Sequence, residues 1–286
     1  MAEPTITNIS DTARWVAMYR AIESERPDAR FHDPYARRLA GERGEEIARR
    51  MPRFRAGLWP MVVRTCVFDE LVLRAIERDG ADAVVNLAAG LDARPWRMKL
   101  PPSIRWIDAD LPEILAYKTK ALVAERPVCE YEPVAIDLAD AGARRALFER
   151  IGRASKKAIV LTEGLLVYLT AEQVGALAAD LHTRASFRWW AIDIASPKLL
   201  RMLNKHWGGK LAEGRAVLQF GPAEGTKFFE RHGWREAEFR STWEESKRLN
   251  RRMPMAWLWD FLGGFASPER REEWRRMGGI VLLERI

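Results

Sequence analysis

From residue 81 onward, short apolar runs at 83–88, 104–109, 131–136, 158–162 and 187–194 alternate with helical stretches. That rhythm predicts an α/β fold in which parallel strands are joined by crossover helices. One crossover is well marked, with Thr170 as its cap, Glu172 and Gln173 in the first turn, and Val174, Leu177, Ala178 and Leu181 on one face. Two later runs, 234–239 and 279–284, are predicted to pair antiparallel at the edge of the sheet, with a helical excursion between them that holds Trp243, Trp257 and Trp259. The rhythm is broken at 196–226 by Pro197, Gly208, Gly209, Gly214, Gly221 and Pro222, an insertion that reads either as a lid above the sheet or as a surface excursion with no role.

The first 80 residues read as helices instead. Trp15, Met18, Tyr19 and Ile22 fall at i, i+3, i+4 and i+7 behind the Ser10, Asp11, Thr12 cap cluster, which predicts a helix ending near Pro27. A second helix is expected from Pro60 to Arg78, and residues 26–44, rich in Pro, Gly and charge, are read as a loop with a short helix. The division that follows is one domain over 1–286, made of a helical cap (1–80), an α/β core (81–195), a lid insertion (196–226) and a C-terminal sheet edge with helices (227–286).

Composition narrows the function classes. At 48% hydrophobic, 286 residues supply a large core. The chain has no run of eighteen apolar residues and opens without the order of a signal peptide, so it is expected to be cytoplasmic and off the membrane. The net charge of +7 is spread along the chain, with Arg270, Arg271, Arg275 and Arg276 set among Glu269, Glu272 and Glu273; a solvated helix face is the expected reading, and no nucleic-acid partner. Cys66 and Cys129 have neither the spacing nor the histidines of a metal site, so no metal is expected.

The chemistry concentrates in VVNLAAGLDARPWRMKLPPSIRWIDAD, residues 84–110. A buried strand, a turn of small residues, a short helix and a second strand end at Asp110, twenty positions past Gly90, where a carboxylate can accept both hydroxyl protons of a ribose. A dinucleotide fingerprint needs three glycines, and here only Gly90 fits. A cofactor with a ribose and no phosphate, such as S-adenosylmethionine, asks less of the turn. A purely structural strand-turn-helix is the alternative.

Several blocks in order, residues 12–41, VVRTCVFDELV, NLAAGLDARPWR, DADLPEILAYK, AIDLAD and TEGLLVYL, resemble the S-adenosylmethionine-dependent O-methyltransferases of the leucine carboxyl methyltransferase and polyketide O-methyltransferase type. The resemblance covers most of the chain. It implies a Rossmann-like class I methyltransferase fold, a mostly parallel seven-stranded sheet with an antiparallel edge strand, N-terminal helices and a helical lid. It implies further that Arg64 pairs with the methionyl carboxylate and Glu163 lies beside the methionyl ammonium. Ala88 and Gly90 line the turn, Asp110 with Leu111 holds the ribose, and Asp137 and Leu138 take the adenine. At Ala88 the family usually shows glycine, so a methyl there is expected to crowd the cofactor or shift the loop.

The implied reaction moves a methyl group to a carboxylate or hydroxyl of a small, natural-product-like acid by in-line displacement, leaving S-adenosylhomocysteine. A protein C-terminal carboxyl methyltransferase and a catalytically silent cofactor-binding relative are the alternatives. No catalytic residue is singled out: His32, His182, His206 and His232 are scattered outside any base motif, which favours an acceptor already ionised at neutral pH, such as a carboxylate. Tyr19, Arg20 and Tyr168 are the substrate-side candidates, and His32 is expected to be structural.

Overall fold

A computed structural model describes residues 6–51, 57–214, 216–253, 256 and 266–286. Its centre is a seven-stranded sheet in the order β3-β2-β1-β4-β5-β7-β6, from β1 (Ala83–Leu87), β2 (Arg105–Asp110), β3 (Glu130–Ala135), β4 (Ala158–Thr162), β5 (Phe187–Ala195), β6 (Trp234–Ser241) and β7 (Gly278–Arg285). The first five strands are parallel, at positions within a residue or two of those the apolar runs predict. β7 runs antiparallel to both β5 and β6, so the antiparallel strand sits one place in from the edge, and β6 forms the edge.

β1 and β4, in the middle of the sheet, read as apolar runs because both faces are covered there, whereas the edge strand β3 keeps exposed and half-buried positions. Successive side chains alternate between two cores. Val85, Leu87, Ile107, Val160, Trp190 and Ile192 face one core, completed by α6 (Ala141–Ala154) and α7 (Ala171–His182). Val84, Trp106, Ile159, Leu161 and Ala191 face the other, built on α3 (Leu58–Glu77). Two buried indoles of the first core find acceptors: that of Trp190 donates to Thr162 at 3.0 Å, and that of Trp234 to the Ala178 carbonyl at 3.0 Å.

A third core lies over the carboxyl ends of the strands, where α1 (Ile9–Ser24) and α2 (Ala36–Arg50) meet Leu91, Ala93, Ile114, Leu211, Ala216 and Leu218. α1 is capped by Asn8, two residues before the expected cluster, with its side chain accepting from the Asp11 N–H at 3.1 Å. In the segment read as a loop with a short helix, residues 26–35 form the loop and the helix is longer than expected: α2 runs fifteen residues, broken at Gly41, whose φ of 61° and ψ of −175° leave the helical region. Its apolar face, Ala36, Leu39, Ala40 and Ile47, is too sparse among arginines and glutamates to register as a period.

The remaining helices are short: α4 (Arg94–Arg97), α5 (Pro112–Ala121), α8 (Pro197–Leu203), α9 (Gly209–Glu213), α10 (Thr242–Arg248) and α11 (Pro268–Arg275). The 196–226 insertion holds α8 and α9, and its Trp207 meets Trp15 of α1 edge-on with centroids 5.5 Å apart. The helical excursion expected between the last two strands is present as α10 and α11, while Trp257 and Trp259 lie outside the described residues.

The predicted cap of α7 forms a full capping box, Thr170 accepting from the Gln173 backbone and the Gln173 side chain accepting from the Thr170 N–H. Thr170→Ala is expected to lower the unfolding free energy by about 1 kcal/mol, read as a drop in the urea midpoint at constant slope. An unchanged midpoint would show that the box contributes nothing.

Candidate functional site

The order of the strands dictates where a ligand can bind. Chain direction across the sheet reverses between β1 and β4, and the crevice outside the carboxyl ends at such a switch point is the place an α/β sheet offers a ligand. Five adjacent strand ends present Asp137, Asp110, the Ala88 to Gly90 turn, Glu163 and Asp193 along this edge. Register makes them neighbours: Leu87 pairs with Ala109, which sets the turn beside Asp110, and Thr162 pairs with Ile192, which sets Glu163 beside Asp193.

The turn after β1 is closed by its own carboxylate. Asp110 accepts from the Gly90 N–H at 2.5 Å and from the Leu111 N–H at 2.7 Å, leaving lone pairs on both oxygens for further donors. Burial raises the pKa of this carboxyl above its ordinary value despite those two N–H groups. Gly90 has φ of 53°, and Ala88 adopts 54°, a left-handed conformation that an alanine enters at a cost. Ala88 still donates its N–H to the Ala109 carbonyl at 2.8 Å, so the methyl has not displaced the backbone from β2.

On the other side of the switch point, Arg64 reaches in from α3. Its Nε donates to Glu163 at 3.1 Å and its Nη1 to Asp193 at 3.2 Å. Burial opposes its charge, but the Glu163 and Asp193 carboxylates outweigh that and hold its pKa above the ordinary value. Gly164, with φ of 70°, lies against the guanidinium so closely that a Cβ would stand 2.9 Å from Nη1. Only glycine satisfies both the backbone angle and the space.

Glu163 has a second partner. Arg94, at the start of α4, reaches it through Nη2 at 2.8 Å, Asp92 through Nη1 at 2.6 Å and Asp69 through Nε at 2.6 Å. Asp92 is buried, which disfavours its charge, yet Arg94, Lys118, Arg97 and Arg20 together hold it well below the usual carboxylate range. Asn86 then bridges Asp92 and Asp108, and Asp108 accepts from Lys118 at 2.6 Å, Tyr131 at 3.0 Å and Trp106 at 2.8 Å. The floor beneath the turn is one connected set of charges.

The remaining candidates sit as follows. Asp137 is exposed, accepting from the Ala139 N–H at 2.9 Å; the helix that follows is capped by Asp140, so Asp137 is not used as a cap. Leu138 is half-buried, and its carbonyl accepts from Arg144 at 2.7 Å. Tyr168 follows β4 in a 3₁₀ turn; burial and Asp193 raise its hydroxyl pKa, while Arg64 and a bond with Thr12 of α1 oppose the rise. Tyr19 is buried in the cap core, its hydroxyl pushed up by burial.

Arg20 is buried as well. It donates to Asp33 at 2.9 Å and to the Leu91 carbonyl at 2.5 Å, and so fastens α1 to the turn. His32 is exposed. Sequence reasoning passed over Asp69, Asp92, Arg94 and Asp193. An available signal was the acid in the apolar strand FRWWAIDIA, because an ionised carboxylate there needs a partner.

The model of the leucine carboxyl methyltransferase family matches residues 13–182. A Parafrankia protein named as a candidate S-adenosyl-L-methionine-dependent methyltransferase is 34% identical over 248 residues, covering 82% of this chain and 79% of its own. A similarly named Saccharopolyspora erythraea protein is 34% identical over 247 residues, covering 80% and 84%. In fold, the chain is similar to a DUF574 family protein from Streptomyces avermitilis (TM-score 0.62, 12% identity, 96% and 97% covered). It is also similar to a candidate methyltransferase from Thermobifida fusca (TM-score 0.57, 14% identity, 98% and 96% covered). With more than half its length matched by the family model, the chain belongs to the leucine carboxyl methyltransferase family.

Proposed function

We propose that the protein is an S-adenosylmethionine-dependent O-methyltransferase acting on a carboxylate or hydroxyl of a small organic molecule. The observation that carries the reading is the row of groups on five adjacent strand ends, whose chemistry matches the cofactor piece by piece. Asp110 offers two acceptor oxygens to the ribose hydroxyls, and exposed Asp137 is an acceptor for the adenine amino group with Leu138 beside it. Gly90 gives the methionyl chain room, Arg64 supplies a planar fork for its carboxylate, and Glu163 supplies a counter-charge for its ammonium.

S-adenosylmethionine supplies an electrophilic methyl on a sulfonium. The chain's residues have to hold the cofactor, align an acceptor and keep water out. α1 and the 196–226 segment share one apolar cluster over the strand ends, a roof that suits a small acceptor better than a peptide tail. Tyr19 and Arg20 of α1 and Tyr168 at the β4 exit are the polar candidates on the elements that build this roof. With Arg20 committed to Asp33 and Leu91, Tyr168 is the first of the three to test for acceptor contact. A carboxylate acceptor needs no base, consistent with the exposed position of His32. The test is methyl-labelled S-adenosylmethionine offered with panels of small carboxylic acids, phenols and carboxyl-terminal peptides. Label transfer to a small acid or phenol supports the reading; transfer to peptides alone, or none alongside undetectable cofactor binding, removes it.

Asp110→Ala is expected to weaken S-adenosylhomocysteine binding by a few kcal/mol, because the ribose loses a charged acceptor in a buried site; unchanged calorimetric affinity refutes the assignment. Since burial raises the Asp110 pKa, the carboxylate takes up its proton on acidification before the ordinary 3.8 is reached. Affinity should therefore begin to fall above that pH in the wild type, and Asp110→Asn should flatten this limb. Ala88→Gly removes a left-handed alanine at the cost of a more flexible unfolded chain, for a net gain of about 0.5 to 1 kcal/mol. S-adenosylhomocysteine affinity should be equal or higher in that variant, and a lower melting temperature would show that the turn carries no strain.

A further inference from the structure

Asp193 is a charged group that the cofactor reading leaves without a task. It lies near the end of β5, where its neighbours in sequence are Ile192 and Ile194, and its register partner on β7 is Ile280. Its side chain is 23% exposed. Both oxygens are engaged, one accepting from the Gly164 N–H at 2.7 Å and the other from Arg64 Nη1 at 3.2 Å. One carboxylate thus grips two things at once: the left-handed turn that follows Glu163, and the guanidinium pressed against that turn.

Consider what Arg64 would do without this grip. A guanidinium has five N–H donors in a rigid fork and prefers to meet a carboxylate with two of them. With Glu163 as its only anion, Arg64 would be free to turn its fork onto that residue, consuming the donors and the counter-charge that a zwitterionic ligand needs. With Asp193 on Nη1 and Glu163 on Nε, the plane is fixed, and the Nη2 end has no partner among the described residues. Gly164 supplies the seat, since any side chain there would push the guanidinium away.

We propose that Asp193 is the positioning residue for Arg64, holding the guanidinium so that its Nη2 end is kept for the carboxylate of an amino-acid moiety. The assignment rests on the reading of Arg64 as the receptor of the methionyl carboxylate. Asp193 does not touch that carboxylate; it acts through Arg64 and through the Gly164 amide. It therefore governs affinity for the amino-acid tail and not for the nucleoside.

Two ligands separate these roles: S-adenosylhomocysteine, which carries the tail, and 5′-methylthioadenosine, which lacks it. Titration calorimetry on the full chain should show Asp193→Ala weakening S-adenosylhomocysteine by about ten- to a hundredfold, the scale of one charge-assisted contact, with 5′-methylthioadenosine within about twofold of wild type. Asp193→Asn keeps an acceptor for Gly164 but loses the charge, and should show the same split in smaller measure. In an Arg64→Ala background, Asp193→Ala should have no further effect on S-adenosylhomocysteine. Retained 5′-methylthioadenosine binding shows that the variants are folded at the site.

Equal losses for both ligands would make Asp193 a brace for the turn and overturn the proposal, as would an Asp193→Ala effect that persists in full without Arg64. Unchanged S-adenosylhomocysteine affinity in Asp193→Ala, with Arg64→Ala impaired, overturns this proposal alone. Unchanged affinity in Arg64→Ala removes the reading of Arg64 itself, and this assignment with it.

Discussion

Arg94 meets three carboxylates, Asp69, Asp92 and Glu163, with its side chain only 3% exposed. Removing water from so many charges is costly, and the arrangement is tolerable only while every member is matched, because a buried charge stripped of its partner costs roughly 3 to 5 kcal/mol. The three acids belong to α3, to the turn after β1 and to the exit of β4. Their shared guanidinium therefore fixes the relative placement of a helix and of two loops on opposite sides of the switch point. Extension through Arg97 to Asp69, and through Arg20 to the carbonyl of Leu91, brings α1 into the same frame. The turn after β1 and the helices over it are held by a lattice laid beneath them.

Such a frame gives the site its preorganisation. A ligand that brings both a carboxylate and an ammonium meets charges already fixed in place, which cuts the ordering cost of association. The present pairing of Arg64 with Glu163 places both of the ligand's expected counter-charges within 3.1 Å of each other. A bound zwitterion would add its carboxylate at the Nη2 end of Arg64 and its ammonium beside Glu163 while the internal pair persists, so the site gains affinity from matching charge already in position.

Much of this was legible in the chain. β1 and β4 announced themselves most plainly, because both faces of the sheet are buried there and every position of each strand is covered; β2, β3 and β5 were legible despite charged positions, β3 being an edge strand with exposed glutamate and proline positions. Asp110 and Gly90 stood out by spacing, and Thr170 by the chemistry of a cap. α2 was hidden because its buried face uses alanines and single leucines among many charges, and because Gly41 breaks it. The network was hidden for a different reason: Asp69, Asp92 and Arg94 are ordinary charged residues locally, and their burial is created by packing of segments remote in sequence. Asp193 was the exception, visible as an acid in an apolar strand. An ionised carboxylate among apolar neighbours needs a partner, and that argument alone singles it out.

The antiparallel β7 separates β5 from β6, and β6 touches the sheet through no other strand. During synthesis the chain must therefore make β6, then α10 and α11, before the strand that gives β6 its place has emerged. Until then β5 presents an open edge bearing Trp189, Trp190 and Ile192, one of the more adhesive stretches of the molecule. The parallel half, with Asp110 and the turn at Gly90, can consolidate early, whereas closure beside Asp193 is among the last events of assembly. A nascent protein thus completes the strand ends around Asp110 before the end that carries Asp193.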